Sequence, residues 1–207
     1  MLLLHNVQLD MPVAHRWSVC DMQLVAGDAL HILGVNGVGK STFLRCLAGL
    51  LPVAGSVTFV ESGLCCADES WPTMVGFMPR RFPVFSATVA LVLRTWYGVF
   101  VGGSCSEERL GVCLEELALD GNLPMHYLST GQLQRLMLAP LLLANKKVWL
   151  LDEPFVSLDN YWSGKVGCWL QDYRNEGGVV VMTGHGVHKS FVDSEDKCFV
   201  LERMHGR

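Results

Sequence analysis

Gly34-Val35-Asn36-Gly37-Val38-Gly39-Lys40-Ser41-Thr42 fits the spacing G-x-x-x-x-G-K-[ST] at every fixed position. The residues before it, Ala29-Leu30-His31-Ile32-Leu33, form the short apolar run of a strand buried on both faces. The residues after it place Phe43, Leu44, Leu47 and Leu50 on one face of a helix over residues 41–50, with Pro52 and Gly55 expected to end it. A glycine-rich loop in this setting binds phosphate. Its glycines let backbone N–H groups turn inward, and the helix start adds the positive end of its dipole. On this reading Asn36, Gly37, Val38 and Gly39 cradle the phosphates of a nucleoside triphosphate. Lys40 reaches the β- and γ-phosphates, the Ser41 hydroxyl ligates Mg²⁺, and Thr42 completes the motif at the helix start. A chance glycine-rich turn would not also carry the flanking strand and helix.

Working outward, residues 2–9, 17–24, 56–60, 74–78, 148–151, 179–183 and 199–201 read as strands, and residues 88–100, 106–119, 131–144 and 160–174 as helices. Strands alternating with helices at the two ends of the chain predict an α/β fold with a parallel sheet, and the helical middle reads as an inserted lobe. Ser106, followed by Glu108 and Arg109, reads as a helix N-cap. Pro140 is expected to kink the helix over residues 131–144.

The chain has 207 residues, of which 50% are hydrophobic and only 17% charged, so disorder is excluded and a substantial core is assured. A net charge of −4 provides no basic field for nucleic acid. Collagen-like and coiled-coil repeats are absent. The longest apolar runs, residues 136–144 (split by Pro140) and 87–93, fall well short of the roughly 20 residues a bilayer helix needs. The first residues carry neither the basic start of a secretory signal nor an Arg-rich transit pattern. Surplus apolar surface is therefore expected to face a membrane partner, in the helical lobe around residues 82–100 with Trp96, Tyr97 and Phe100. The eight cysteines, Cys20, Cys46, Cys65, Cys66, Cys105, Cys113, Cys168 and Cys198, are scattered and read as reduced, mostly buried thiols. Cys65-Cys66 reads as an ordinary loop pair ahead of a metal or haem ligand, since no second ligand motif is near.

Three further segments and one histidine carry chemistry. Val148-Trp149-Leu150-Leu151-Asp152-Glu153-Pro154 is a buried strand ending in two carboxylates, at the carboxyl end where parallel sheets bind ligands. Asp152 would hold Mg²⁺ through water, and Glu153 would act as general base on the attacking water. Leu128-Ser129-Thr130-Gly131-Gln132 places Ser129 and Gly131 at a helix start, either as a second anion site serving the nucleotide of a neighbouring copy or as a plain N-cap. Ser157-Leu158-Asp159 follows the carboxylate pair. His185 stands just past the strand at 179–183, where an imidazole would contact the γ-phosphate and hold the water or Glu153.

In this order the segments resemble the nucleotide-binding domain of ABC transporters. Residues 34–42 resemble its Walker A motif, 128–132 its signature, 150–153 its Walker B motif and 157–159 its D-loop, with His185 as the switch histidine. The resemblance implies a single ATP-binding domain over residues 1–207. A RecA-like core would span about 1–79 and 145–207 with a small antiparallel sheet, and a helical lobe would span about 80–144. It also implies a head-to-tail homodimer holding two ATP and Mg²⁺, with each nucleotide also touched by Ser129, Gly131, Gln132 and Asp159.

Lys40-Ser41-Thr42-Phe43-Leu44-Arg45-Cys46-Leu47-Ala48-Gly49-Leu50, Trp149 to Phe155 and Glu176 to His185 are similar to the ATP-binding subunits of cytochrome c maturation haem exporters, the CcmA family. This similarity implies a haem-transporting ATPase that powers haem export or release of a haem-loaded chaperone. Its implied partners are a CcmB-like integral membrane permease, CcmC-like and CcmD-like membrane proteins and a CcmE-like haem chaperone. It would sit peripherally on the plasma or mitochondrial inner membrane, on the cytoplasmic or matrix side. Other implied readings are the ATP-binding subunit of another compact ABC transporter and a weakly hydrolysing assembly subunit.

The chain departs from the family in places. Arg80, or Met78 in a shifted register, stands where the family has a Gln near Mg²⁺ and the water, which implies slow hydrolysis, since a cation cannot ligate Mg²⁺. Thr130 replaces the usual signature Gly. His15 and Trp17 stand near the adenine-stacking position, as stacking or as packing residues.

Overall fold

The protein is represented by a computed structural model that describes residues 1–9, 16–81, 83–184, 191 and 195–204. In chain order the elements are β1 (Leu2–Leu9), β2 (Arg16–Trp17), β3 (Cys20–Leu24), β4 (Ala29–Leu33), α1 (Lys40–Leu47), β5 (Val53–Phe59), α2 (Trp71–Met74) and β6 (Val75–Met78). Then come α3 (Val89–Phe100), α4 (Glu107–Leu117), a 3₁₀ turn (Met125–Tyr127), α5 (Thr130–Leu143), β7 (Val148–Asp152), α6 (Asn160–Asn175), β8 (Val179–Thr183), β9 (Lys197–Val200) and β10 (Arg203–Met204). The chain separates into two compact units. The first comprises Met1–Arg80, Lys146–Pro154 and Val166–Arg207, and the second Arg81–Asn145 and Phe155–Lys165.

The first unit is built on a five-stranded sheet in the order β6-β7-β8-β4-β9, with every pairing parallel. β7 and β8 are buried along their whole length and β4 nearly so, which is why they read as unbroken apolar runs. Parallel pairing brings the carboxyl ends of β4, β7 and β8 to one edge. A three-stranded antiparallel sheet, β3-β1-β5, shares its core with α1. Phe43, Leu44 and Leu47 of α1 pack there with Leu2, Leu4, Val57 and Trp71, each buried apolar side chain contributing about 1.5–3 kcal/mol. Where the sequence predicts one strand over 17–24, the structure forms β2 and β3; β2 pairs with β10 instead of joining that sheet.

The helix after the phosphate loop ends earlier than predicted. α1 stops at Leu47, Gly49 takes φ +73°, and Leu50, expected on the buried face, is 61% exposed. Glycine is required here for two reasons. Its φ is left-handed, and a Cβ at Gly49 would lie 2.4 Å from the Cys66 carbonyl oxygen. The chain must turn here, at Gly49, so Pro52 and Gly55 fall beyond the helix.

A buried polar cluster ties β4 to the chain entering β9. His31 Nε2 lies 3.1 Å from Asp196 Oδ2, and the Arg174 guanidinium pairs with Asp196 Oδ1 at 2.8 Å. Arg174 Nε also donates to the Gly27 carbonyl at 2.7 Å, so β4, the end of α6 and the chain entering β9 share one network. Pairing of this kind is what allows charges to be buried.

The second unit packs α3, α4 and α5 against one another, together with the start of α6. Thr88 and Ser106 cap α3 and α4, each hydroxyl accepting from an N–H three residues on. α5 runs through Pro140 to Leu143 without interruption, and the Ala144 N–H donates to the Pro140 carbonyl at 2.9 Å. Trp96 departs from expectation: it is buried inside this unit rather than offered to a partner. Tyr97 and Phe100 are half-buried, and the exposed apolar residues of the 82–100 stretch include Val84, Phe85, Leu91 and Val99. Among the described residues no helix is long and apolar enough to cross a membrane.

The eight cysteines are free, with Cys20, Cys46, Cys105 and Cys113 buried, Cys65 and Cys66 half-buried, and Cys168 and Cys198 exposed. Burial, with a smaller contribution from Asp21, pushes the Cys20 thiol up to about 12, so it is inert rather than nucleophilic.

Gly49→Ala is expected to lower the free energy of unfolding by about 2–4 kcal/mol, from left-handed strain plus the carbonyl clash. Gly63→Ala, also at positive φ but facing open space, should cost only about 1–2 kcal/mol. Denaturant unfolding of the two variants measures the difference.

Candidate functional site

The phosphate loop connects the end of β4 to the start of α1, and its backbone is as unusual as its sequence. Gly34, Gly37 and Gly39 all have positive φ, of 149°, 73° and 116°. At Gly34 a Cβ would lie 2.6 Å from the Leu201 carbonyl oxygen, so the loop can pass this strand end only as glycine. Gly39 forms the N-terminal boundary of α1 without any side-chain cap, leaving the helix-start amides to a ligand. Lys40 is buried, and its ammonium donates to the carbonyls of Gly34 at 2.6 Å and Val35 at 3.3 Å. The lysine thus folds over the loop and holds its curvature. Asn36, Gly37 and Val38, with Gly34 and Val35, line a cavity of about 420 Å³ closed on its other side by Val200, Leu201 and Glu202. Ser41 and Thr42 occupy the first turn of α1 and are half-buried.

The carboxylate pair stands at the end of β7. Asp152 is the last residue of that strand and lies in register with Thr183, the last of β8. The Thr183 hydroxyl donates to Asp152 Oδ1 at 2.6 Å and accepts the Glu153 N–H at 3.0 Å. One side chain therefore orients the first carboxylate and anchors the backbone of the second. Glu153 leaves the strand at φ 52°, a left-handed conformation that costs a non-glycine residue energy and is kept by that anchor. Its carboxylate, 5% exposed, forms an ion pair with Arg80 Nε at 3.0 Å. Arg80 follows the end of β6, the strand that pairs with β7, so sheet order brings the two together.

In the second unit Ser129 caps α5 through a complete capping box. Its hydroxyl accepts the Gln132 N–H at 3.2 Å, and its own N–H donates to Gln132 Oε1 at 2.9 Å. The Ser129 and Gln132 side chains are thus engaged with each other's backbone at the start of α5. Asp159 likewise caps α6, accepting the Trp162 N–H at 2.8 Å. The Ser157 carbonyl packs against Gly131, where a Cβ would meet it at 3.1 Å, so the 157–159 turn rides on the start of α5. Ser157 itself has φ 64°.

Of the residues expected at the site, the structure gathers 36–42, Asp152 and Glu153 in the first unit, and Ser129, Gly131, Gln132 and Asp159 in the second. His185 and His15 lie outside the described residues, and Trp17 is placed only by its backbone pairing with Arg203. One residue, Thr183, and one pairing, Arg80 with Glu153, go beyond what the sequence shows. In the sequence Thr183 reads only as the end of an apolar strand, although a hydroxyl closing the run Val179-Val180-Val181-Met182 is a visible signal. The pairing of Arg80 with Glu153 depends on which strand lies beside which, and no local pattern encodes that.

The site's chemistry suits a divalent cation. A buried carboxylate at Asp152 and a hydroxyl at Ser41 are hard oxygen donors of the kind Mg²⁺ prefers, completed in such sites by phosphate and water.

Residues 18–156 match the ABC transporter family. The chain is 32% identical over 169 residues to the cytochrome c biogenesis ATP-binding export protein CcmA of Haemophilus ducreyi, the match covering 80% of each. It is 38% identical to the protein of the same name from Paracoccus denitrificans, over 81% of this chain and 74% of that one. A dimeric bacterial ABC transporter cassette of known structure superposes over the full length of both chains with a TM-score of 0.79 at 22% identity. A cassette in a post-hydrolysis state, bound to ADP and Pi, superposes at TM-score 0.75 and 24% identity over 90% of this chain and 89% of that one. The two structures share this chain's fold.

Thr183→Val is expected to lower the free energy of unfolding by about 1–3 kcal/mol, because it leaves a buried carboxylate and a buried N–H without their partner. Thr183→Ser, which keeps the hydroxyl, should recover most of that loss. Thermal unfolding of the pair reads the difference, and equal midpoints for Thr183→Val and wild type would sink this account of the hydroxyl.

Proposed function

The chain belongs to the ABC transporter family, and from that premise we propose that it is the ATP-hydrolysing subunit of an ABC exporter complex serving cytochrome c maturation, driving haem export or the release of a haem-loaded chaperone. The observation that carries the ATPase part is the phosphate loop and the Asp152-Glu153 pair at the same edge of one parallel sheet. The relatives named as cytochrome c biogenesis export proteins support the biological role.

The triphosphate of ATP lies in the loop of residues 34–42. There the amides of α1's first turn and the Lys40 ammonium bind its β- and γ-phosphates once Lys40 turns from the carbonyls of Gly34 and Val35. Asp152 and Ser41 hold Mg²⁺, which when bound neutralises developing charge on the phosphate oxygens. Glu153 takes a proton from the attacking water as that water's oxygen bonds to the γ-phosphorus and the bond to the ADP oxygen breaks. His185, two residues beyond β8 in the sequence, is the residue proposed to contact the γ-phosphate.

Two copies associate head to tail. Each nucleotide then meets Ser129, Gly131 and Gln132 of the other copy, with Asp159 at the same junction. The capping box supports this reading in one respect: it fixes the start of α5 with the Gly131 N–H directed along the helix axis as an anion donor. Closure of such a dimer around ATP, and its reopening after hydrolysis, moves an integral membrane permease. CcmB-like, CcmC-like, CcmD-like and CcmE-like proteins are the partners that fit. The exposed side chains Val84, Phe85, Leu91 and Val99 are the docking face, so the subunit sits peripherally on the membrane.

Co-purification with a membrane permease, followed by ATP-dependent loss of haem-loaded chaperone from the complex, tests the role. A co-purifying permease for amino acids or metal ions would exclude it. Val99→Glu with Leu91→Glu should release the subunit from membranes while leaving its nucleotide affinity within about twofold of wild type, as expected when the changed side chains and the phosphate loop belong to different units. Sedimentation with membranes and nucleotide titration measure the two quantities.

A further inference from the structure

The Arg80–Glu153 ion pair bears on how the site recognises its nucleotide. Its two halves are unequally held. The Glu153 carboxylate is 5% exposed, and its backbone is anchored by the Thr183 hydroxyl, whereas Arg80 is 49% exposed. Arg80 is therefore the partner that can move. A guanidinium is permanently charged and presents a fork of donors that suits phosphate at least as well as carboxylate. ATP brings several negative charges to the neighbourhood of the general base, and Arg80 already touches that base. The carboxylate and the γ-phosphate must then compete for one cation.

We propose that Arg80 is a nucleotide-sensing positioning residue: its guanidinium pairs with Glu153 before ATP binds and transfers to the γ-phosphate when ATP arrives, freeing the carboxylate to meet the water. This rests on the reading of Glu153 as the base beside the γ-phosphate. Two things follow. The base is restrained whenever the site lacks a γ-phosphate, so the site with ADP keeps the pair. Arg80 also contributes to telling ATP from ADP, in a position where a neutral Gln could not carry charge to the phosphate.

The test is a double-mutant cycle read by binding, which does not depend on turnover. The full chain is titrated with Mg²⁺ and the β,γ-imido analogue of ATP, and separately with Mg²⁺ and ADP, as wild type, Glu153→Gln, Arg80→Gln and the double variant. With Arg80 present, Glu153→Gln should tighten analogue binding about tenfold, since the competitor for the guanidinium is gone. With Arg80→Gln the same change should matter less than about twofold, and ADP affinity should stay level across all four proteins. Arg80→Lys should keep part of the coupling, because it retains a mobile cation.

Equal tightening in both backgrounds would overturn the proposal. It would mean that the Glu153 charge repels phosphate directly, without Arg80. Parallel changes for ADP and the analogue would overturn it as well. Lys40→Ala separates this failure from failure of the nucleotide-site reading. Loss of binding in Lys40→Ala with no coupling in the cycle discards only the role of Arg80, and unaltered binding in Lys40→Ala discards both.

Discussion

The hydroxyl of Thr183 is the point on which the catalytic edge of the sheet depends. It donates a hydrogen bond to Asp152 and accepts one from the N–H of Glu153, so one side chain on β8 orients two successive residues at the end of β7. Without that bridge Asp152 would bury a carboxylate with one fewer donor, and the left-handed turn at Glu153 would lose the hydrogen bond that holds its N–H. The bridge exists because β7 and β8 pair in parallel with Asp152 opposite Thr183. A slip of one residue would turn these side chains to the opposite faces. Burial of Val148 to Leu151 and of Val179 to Met182 fixes that register, so packing of the sheet core sets the geometry of the site.

The same logic runs along the neighbouring strands. β4 carries the phosphate loop to the shared edge, and the Leu201 carbonyl beyond β9 presses so closely on Gly34 that a side chain there is excluded. β6 delivers Arg80 beside Glu153. Beneath them, His31, Asp196 and Arg174 join β4, the chain entering β9 and the end of α6 by buried pairing. The second unit works by caps rather than by a sheet: Ser129 and Asp159 each close a helix start, and the Ser157 carbonyl seats the turn on Gly131.

Much of this was legible in the sequence. The phosphate loop could be read because its constraint is local: glycines for positive φ, one lysine, and a strand and helix on either side. The buried strands could be read because a parallel strand covered on both faces leaves an apolar run with no polar interruption. The capping serines were legible for the same local reason. The parts that escaped depend on contacts distant in sequence. α1 ends at Gly49 because Cys66 lies against it, and the side chain that periodicity placed inside, Leu50, falls past that end. Trp96 is enclosed by its own unit, while smaller residues, Leu91 and Val99, are left outside. The engagement of Arg80 with Glu153 spans two strands whose adjacency is a property of sheet order.

The central claim is that this edge of the sheet binds ATP through Lys40 and cleaves it through Glu153. Single-turnover measurement of ATP cleavage, with binding followed separately, tests it most directly on wild type, Glu153→Gln and Lys40→Ala. The account predicts that Glu153→Gln still binds ATP but cleaves it at least about 100-fold more slowly, the scale of a lost general base, and that Lys40→Ala loses binding and cleavage together. Cleavage at the wild-type rate by Glu153→Gln would contradict it.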